Sequence, residues 1–152
     1  MALQTSILVP LNDSVSSQGL LDFIIQKLPL APDATVFTLL HVFRKPTSGE
    51  ELMGKKFMEE QPERFRSLLE DARNRLIEEK GFKPENIEIT LLTEPYPSVT
   101  EGIIDYFNKG SFDIVVIGRK EMSKSEEFVL GDISVKLIRS LGKTSVLVVK
   151  SE

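Results

Sequence analysis

Three short polar stretches adjoin apolar runs and hold the residue types that handle anions. Pro10-Leu11-Asn12-Asp13-Ser14 follows Ile7-Leu8-Val9, and Gly118-Arg119-Lys120-Glu121 follows Ile114-Val115-Val116-Ile117. Gly131-Asp132-Ile133-Ser134 opens an amphipathic stretch. The chemistry open to such turns is binding rather than bond-making. Glycine lets backbone N–H groups approach a ligand closely, and the first turn of a helix presents unpaired N–H groups and the positive end of its dipole. Each stretch also has a purely structural reading. Asn12-Asp13-Ser14 and Asp132 are good helix caps, and Gly118 and Gly131 suit tight turns or close packing.

Covalent chemistry is poorly served. His41 is the only histidine, no feature places a nucleophile beside it, and it reads as structural. Cysteine is absent, which excludes disulfides, thiol nucleophiles and cysteine-bound metal and suits a reducing compartment. We assign no catalytic residue and no metal ligand.

These turns must be positioned by a sheet. The two strands already named join Val36-Phe37-Thr38-Leu39-Leu40 and Val146-Leu147-Val148-Val149 as continuous, β-branched-rich runs. Continuous rather than alternating apolar residues predict strands covered on both faces, the habit of parallel sheets. Ile87 to Leu92 alternates more and is placed toward an edge. Between the strands lie four helical periods. Leu20, Ile24 and Leu28 mark the first; Phe65, Leu69, Ala72 and Leu76 the second, starting after Pro62 and stopping at Gly81. Val99, Ile103, Ile104 and Phe107 mark the third, ending near Gly110, and Ile133, Leu137, Ile138 and Leu141 the fourth, closed by Gly142. The order β-α-β-α-β-α-β-α-β predicts a three-layer α/β/α domain on a parallel sheet. Periodicity leaves the strand order open between Rossmann-like 3-2-1-4-5 and flavodoxin-like 2-1-3-4-5. The first order puts the reversal between strands one and four, where the polar turns converge. The second would suit a phosphoacceptor receiver or flavin carrier, but the third strand ends Leu91-Leu92-Thr93-Glu94, without the aspartate a receiver needs.

The 152 residues, 41% hydrophobic and 28% charged, predict one soluble domain, 1–152, with a long loop at 44–61. That loop reads as a short helix tucking Leu52, Met53, Phe57 and Met58 against the body, or as a cover for a ligand or protein partner. A net charge of -4 argues against nucleic acid and anionic membrane as partners. No basic leader and no apolar run of about 18 residues is present, so the expected location is cytoplasmic.

Taken together and in order, Ile7-Leu8-Val9-Pro10-Leu11-Asn12-Asp13-Ser14, Leu39-Leu40-His41-Val42, Val116-Ile117-Gly118, Leu130-Gly131 and Ser145-Val146-Leu147-Val148-Val149 resemble universal stress proteins over essentially the whole chain. The resemblance implies a five-stranded parallel sheet of order 3-2-1-4-5, a homodimer paired through the last strand (Val146, Leu147, Val148, Val149), and a site for ATP or AMP. The candidate crevice for it comprises Pro10, Leu11, Asn12, Val42, Gly118, Arg119, Gly131, Asp132, Ile133 and Ser134; by the resemblance Pro10 and Val42 keep positions used around the adenine, and Gly118 and Gly131 the first and third glycine positions of the phosphate motif. The ATP-binding branch carries Gly-x-x-Gly, nine residues, then Gly and Ser or Thr. Here Glu121 stands at the second glycine, Asp132 at the Ser or Thr, and Asn12 where the family usually has an Asp.

A carboxylate at position 132 can take the helix N–H groups that a phosphate would use. Two unit charges ~4 Å apart interact by roughly 4 kcal/mol at an effective dielectric near 20, while a micromolar ligand has only about 8 kcal/mol in total. One such clash removes useful triphosphate affinity. Arg119, Lys120, Lys124 and Lys136, or a magnesium ion bridging Asp132 or Glu121 to phosphate, would offset it, and AMP would escape it. The expectation is a non-enzymatic dimeric stress or signalling module with weakened or lost ATP binding. The alternative is a competent ATP or AMP sensor, or slow ATPase, using the same crevice.

Overall fold

The computed structural model describes residues 3–44, 54–120 and 133–151. The elements are β1 (Thr5–Pro10), α1 (Val15–Gln26), β2 (Thr35–Arg44), α2 (Lys55–Lys80), β3 (Ile87–Tyr96), α3 (Val99–Lys109), β4 (Ile114–Lys120), α4 (Ile133–Ser140) and β5 (Ser145–Ser151). The five strands form one parallel sheet in the order β3-β2-β1-β4-β5. The flavodoxin-like alternative is thereby set aside. β3, the strand with the alternating pattern, is an edge, and β5 is the other.

The period of two along each strand splits the core into two layers. Ile7 and Val9 of β1, Phe37 and Leu39 of β2 and Val116 of β4 face α1 and α2, meeting Leu20, Ile24, Leu69 and Leu76. Leu8, Leu40, Val42, Val115 and Ile117 face the opposite way, onto Ile103 and Phe107 of α3 and Leu137 of α4. In register, Ile7 lies beside both Phe37 and Ile114, so β1 is flanked by strands on both sides.

Two sequence expectations are corrected. The second helix starts at Lys55, with Pro62 inside it, so the predicted 44–61 loop is shorter: Arg44 ends β2 and 55–61 are helical. Proline costs the helix one hydrogen bond to the carbonyl four residues back. The run Lys55 to Gln61 is rich in Lys, Met, Glu and Gln, good helix formers that carry the helix back past it. Residues 45–53 of that loop, including Leu52 and Met53, lie outside the described residues. The helix stops where expected. Gly81 adopts the left-handed conformation (φ 80°), its N–H bonding the Ile77 carbonyl, and Phe82 turns straight back into the core against Phe37.

The second correction concerns α4. Ile138 is 64% exposed although it falls in the predicted apolar stripe. An eight-residue helix offers the sheet little more than Ser134 and Leu137, one turn apart, and position 138 lies about 100° further round.

Candidate functional site

The order 3-2-1-4-5 puts β1 beside β4 while their following helices leave to opposite faces, the geometry that opens a crevice at the carboxyl ends of strands. A cavity of about 170 Å³ lies there. Six of the ten predicted site residues line it: Pro10, Leu11, Asn12, Val42, Gly118 and Ile133. Arg119 and Ser134 are not among its lining residues, and Ser134 is buried. Gly131 and Asp132, like Glu121, lie outside the described residues.

The first turn is fixed by its own side chains. Asn12 Oδ1 accepts from the Ser14 N–H (2.8 Å) and from the Ser17 hydroxyl (3.0 Å), and the Asn12 N–H donates to Ser17 Oγ (2.9 Å). Ser14 caps α1, its hydroxyl accepting from the Ser17 N–H. The capping reading thus holds for Ser14, which Asn12 buttresses, while Asn12 also lines the crevice.

The same turn is clamped to β2 and α2. Leu11 donates its N–H to the Leu40 carbonyl (2.8 Å), and its own carbonyl accepts from His41 Nδ1 (2.8 Å). The imidazole is stacked on Phe65 of α2 at 3.8 Å and 9°, with Phe43 edge-on to both rings. Arg64 lies 5.1 Å from the centre of the Phe65 ring and is ion-paired with Asp13. Leu11, His41, Phe65, Arg64 and Asp13 therefore close a circuit from the turn through two other elements and back. Burial pushes the His41 pKa below its ordinary value, with Arg64 acting the same way. The bond to Leu11 and the charge of Asp13 oppose the shift. A neutral ring donating through Nδ1 holds the turn in place.

Gly118 earns its position by packing. A β-carbon there would lie 2.5 Å from the carbonyl oxygen of Ser16, so the first turn of α1 sits directly against β4. Gly102 does the same for the opposite wall: a β-carbon would lie 2.3 Å from a methyl of Val42, and α3 thereby presses on the end of β2. Val99 and Ile103 of α3 complete that wall. Sequence reading missed them as site residues, though their i, i+4 spacing at a helix start after β3 was the available signal.

A larger groove, about 270 Å³, lies between α1 and α2 and shares Leu11, Asn12 and Ser17 with the crevice. Its guanidinium groups are engaged: Arg64 with Asp13, and Arg75 with Asp22 (2.9 Å) and Glu79 (2.6 Å). Among the described residues no cluster of three or more His, Cys, Asp or Glu is arranged to hold a metal ion, and no helix is long and apolar enough to cross a membrane.

A sequence model of the universal stress protein family matches residues 5–150. The chain belongs to that family. No curated protein is a significant match. Among solved structures, this universal stress protein is similar to the hypothetical protein MJ0577, with 21% identity, 99% of each chain covered and a TM-score of 0.70. It is also similar to a universal stress protein in complex with cAMP (16% identity, 97% of this chain and 98% of the other, TM-score 0.65). A third is a universal stress protein family member from Arabidopsis thaliana with AMP bound (16% identity, 97% and 92%, TM-score 0.65). At these identities the likeness is one of fold.

Proposed function

We propose that this universal stress protein is a non-catalytic binding module, paired as a homodimer through β5, that takes an adenine nucleotide by its nucleoside end and holds a triphosphate weakly. The observation that carries the reading is the convergence of Pro10, Leu11, Asn12, Val42, Gly118 and Ile133 on one crevice at the reversal of strand order. Its apolar walls, Pro10, Val42 and Ile117, suit the face of a purine ring. The ligands named in two structural neighbours, cAMP and AMP, are both monophosphates.

The phosphate end supplies the other half of the reading. Glu121 and Asp132 place two carboxylates in the segment where the family's ATP-binding branch carries Gly and Ser or Thr. Their charge opposes that of a triphosphate. Isothermal titration with ATP, ADP and AMP, each with and without magnesium, tests the account. AMP should bind at least as tightly as metal-free ATP, and Asp132→Ser should raise ATP affinity about tenfold or more. Micromolar binding of ATP without metal, unchanged in Asp132→Ser, would favour the competing sensor or slow ATPase.

A further inference from the structure

Two adjacent residues of α2 grip the first turn on either side of Asn12. Arg64 is ion-paired with Asp13, and Phe65 backs the imidazole that holds Leu11. Yet no residue of α2 lines the crevice, whereas Pro10, Leu11 and Asn12 all do. The two arms of the grip are unequal. The Arg64–Asp13 pair is half exposed, where water and salt screen it. The other arm is buried. A carbonyl can only accept, so His41 Nδ1 carries the hydrogen in its 2.8 Å bond to Leu11. Without that donor the Leu11 carbonyl loses a buried partner, and the turn has to shift to hydrate it. The bond depends on the plane of the ring. Phe65 sets that plane, its face 3.8 Å away and tilted by 9°, with Phe43 edge-on at 4.7 Å.

We propose that Phe65 is a positioning residue for the nucleotide: by holding the His41 ring in plane it keeps the Leu11 carbonyl bonded and the first turn in shape, so that α2 sets the affinity of a crevice it does not line. The inference rests on the reading of the crevice as a nucleoside site. Coupling of this kind is reciprocal. Whatever factor the His41–Leu11 bond adds to the nucleotide's affinity, the bound nucleotide adds to the stability of that bond.

The test is calorimetric titration of AMP into the wild type, Phe65→Leu, His41→Asn and the double variant. Phe65→Leu should weaken AMP about threefold to tenfold, the worth of one hydrogen bond. Asparagine keeps an amide N–H for Leu11 but has no ring to stack. In the His41→Asn background the same replacement should therefore change the affinity by less than about twofold. A role in folding alone predicts an equal loss in both backgrounds. That result, or an affinity unmoved by Phe65→Leu, overturns the proposal and leaves the nucleoside site standing. If a variant does not fold, the wild type decides. His41 is the sole histidine, so its Nδ1–H is assigned directly by NMR, and its exchange with solvent should slow about threefold to tenfold at saturating AMP. Exchange unchanged by AMP overturns the proposal. A wild type that binds no AMP overturns the reading of the crevice and this inference with it.

Discussion

Replacing Gly118 by alanine would place a methyl carbon 2.5 Å from the carbonyl oxygen of Ser16, 3.0 Å from its carbonyl carbon and 3.3 Å from the β-carbon of Leu20. The opposing oxygen is backbone, so no rotamer change relieves the contact. Ordinary heavy-atom separations are about 3.5 Å, and reaching one requires α1 to move outward by on the order of 1 Å. That helix carries Leu20 and Ile24, both fully buried, so the shift opens the core on the α1–α2 face. Overpacking of this kind costs about 1–3 kcal/mol. For a chain of this length each kcal/mol lowers the melting temperature by roughly 2–4 °C, so Gly118→Ala should melt about 2–12 °C below the wild type. The assay is thermal unfolding followed by circular dichroism, without ligand, with Gly142→Ala as the control. A β-carbon at Gly142 meets nothing within 4 Å, and that variant should melt with the wild type. Gly118→Ala melting within 1 °C of wild type would refute the packing argument and return Gly118 to a role in ligand binding alone.

Two more perturbations follow from the same geometry. His41 is the sole histidine and its pKa is lowered chiefly by burial, so the unfolded chain takes up the proton first. The stability this residue contributes is complete above its ordinary value of 6.5 and declines as pH falls from there toward the folded pKa. Urea midpoints should therefore drop between pH 7.5 and 5.5. In His41→Asn, whose amide N–H can still reach Leu11, the slope should flatten; an equal slope would assign the titration elsewhere. Among the described residues the outer edge of β5 has no strand partner, and the strand carries half-buried Val146 and Val148. Unpaired apolar edges recruit a second strand. Val148→Lys should convert the proposed dimer to folded monomers in sedimentation, and an unchanged sedimentation coefficient would move the interface to another surface.

How much of this was legible beforehand can be judged residue by residue. The continuous apolar runs around Leu8, Leu39, Val116 and Leu147 announced strands buried on both faces, because only such strands lack a polar side. Gly81 marked the end of α2 correctly, since a left-handed residue closes a helix whatever lies around it. Pro62 misled: it resembled a helix start, yet Lys55 to Gln61 continue the helix beyond it. Gly118 looked equally suited to phosphate and to packing, and only the position of Ser16 distinguished the structural demand.

By itself, the sequence determined the succession of strands and helices, the two-faced burial of the sheet, and the polar turns at its carboxyl edge, all of which depend on neighbours a few residues apart. The tertiary structure alone decided the strand order, the meeting of Pro10, Val42, Gly118 and Ile133 in one crevice, and the stacking of His41 on Phe65 that secures the Leu11 carbonyl. It also decided which end of the Asn12 amide is spent on the turn. These are relations between groups brought together by the packing of whole elements, and periodicity along a chain carries no record of which elements end up side by side.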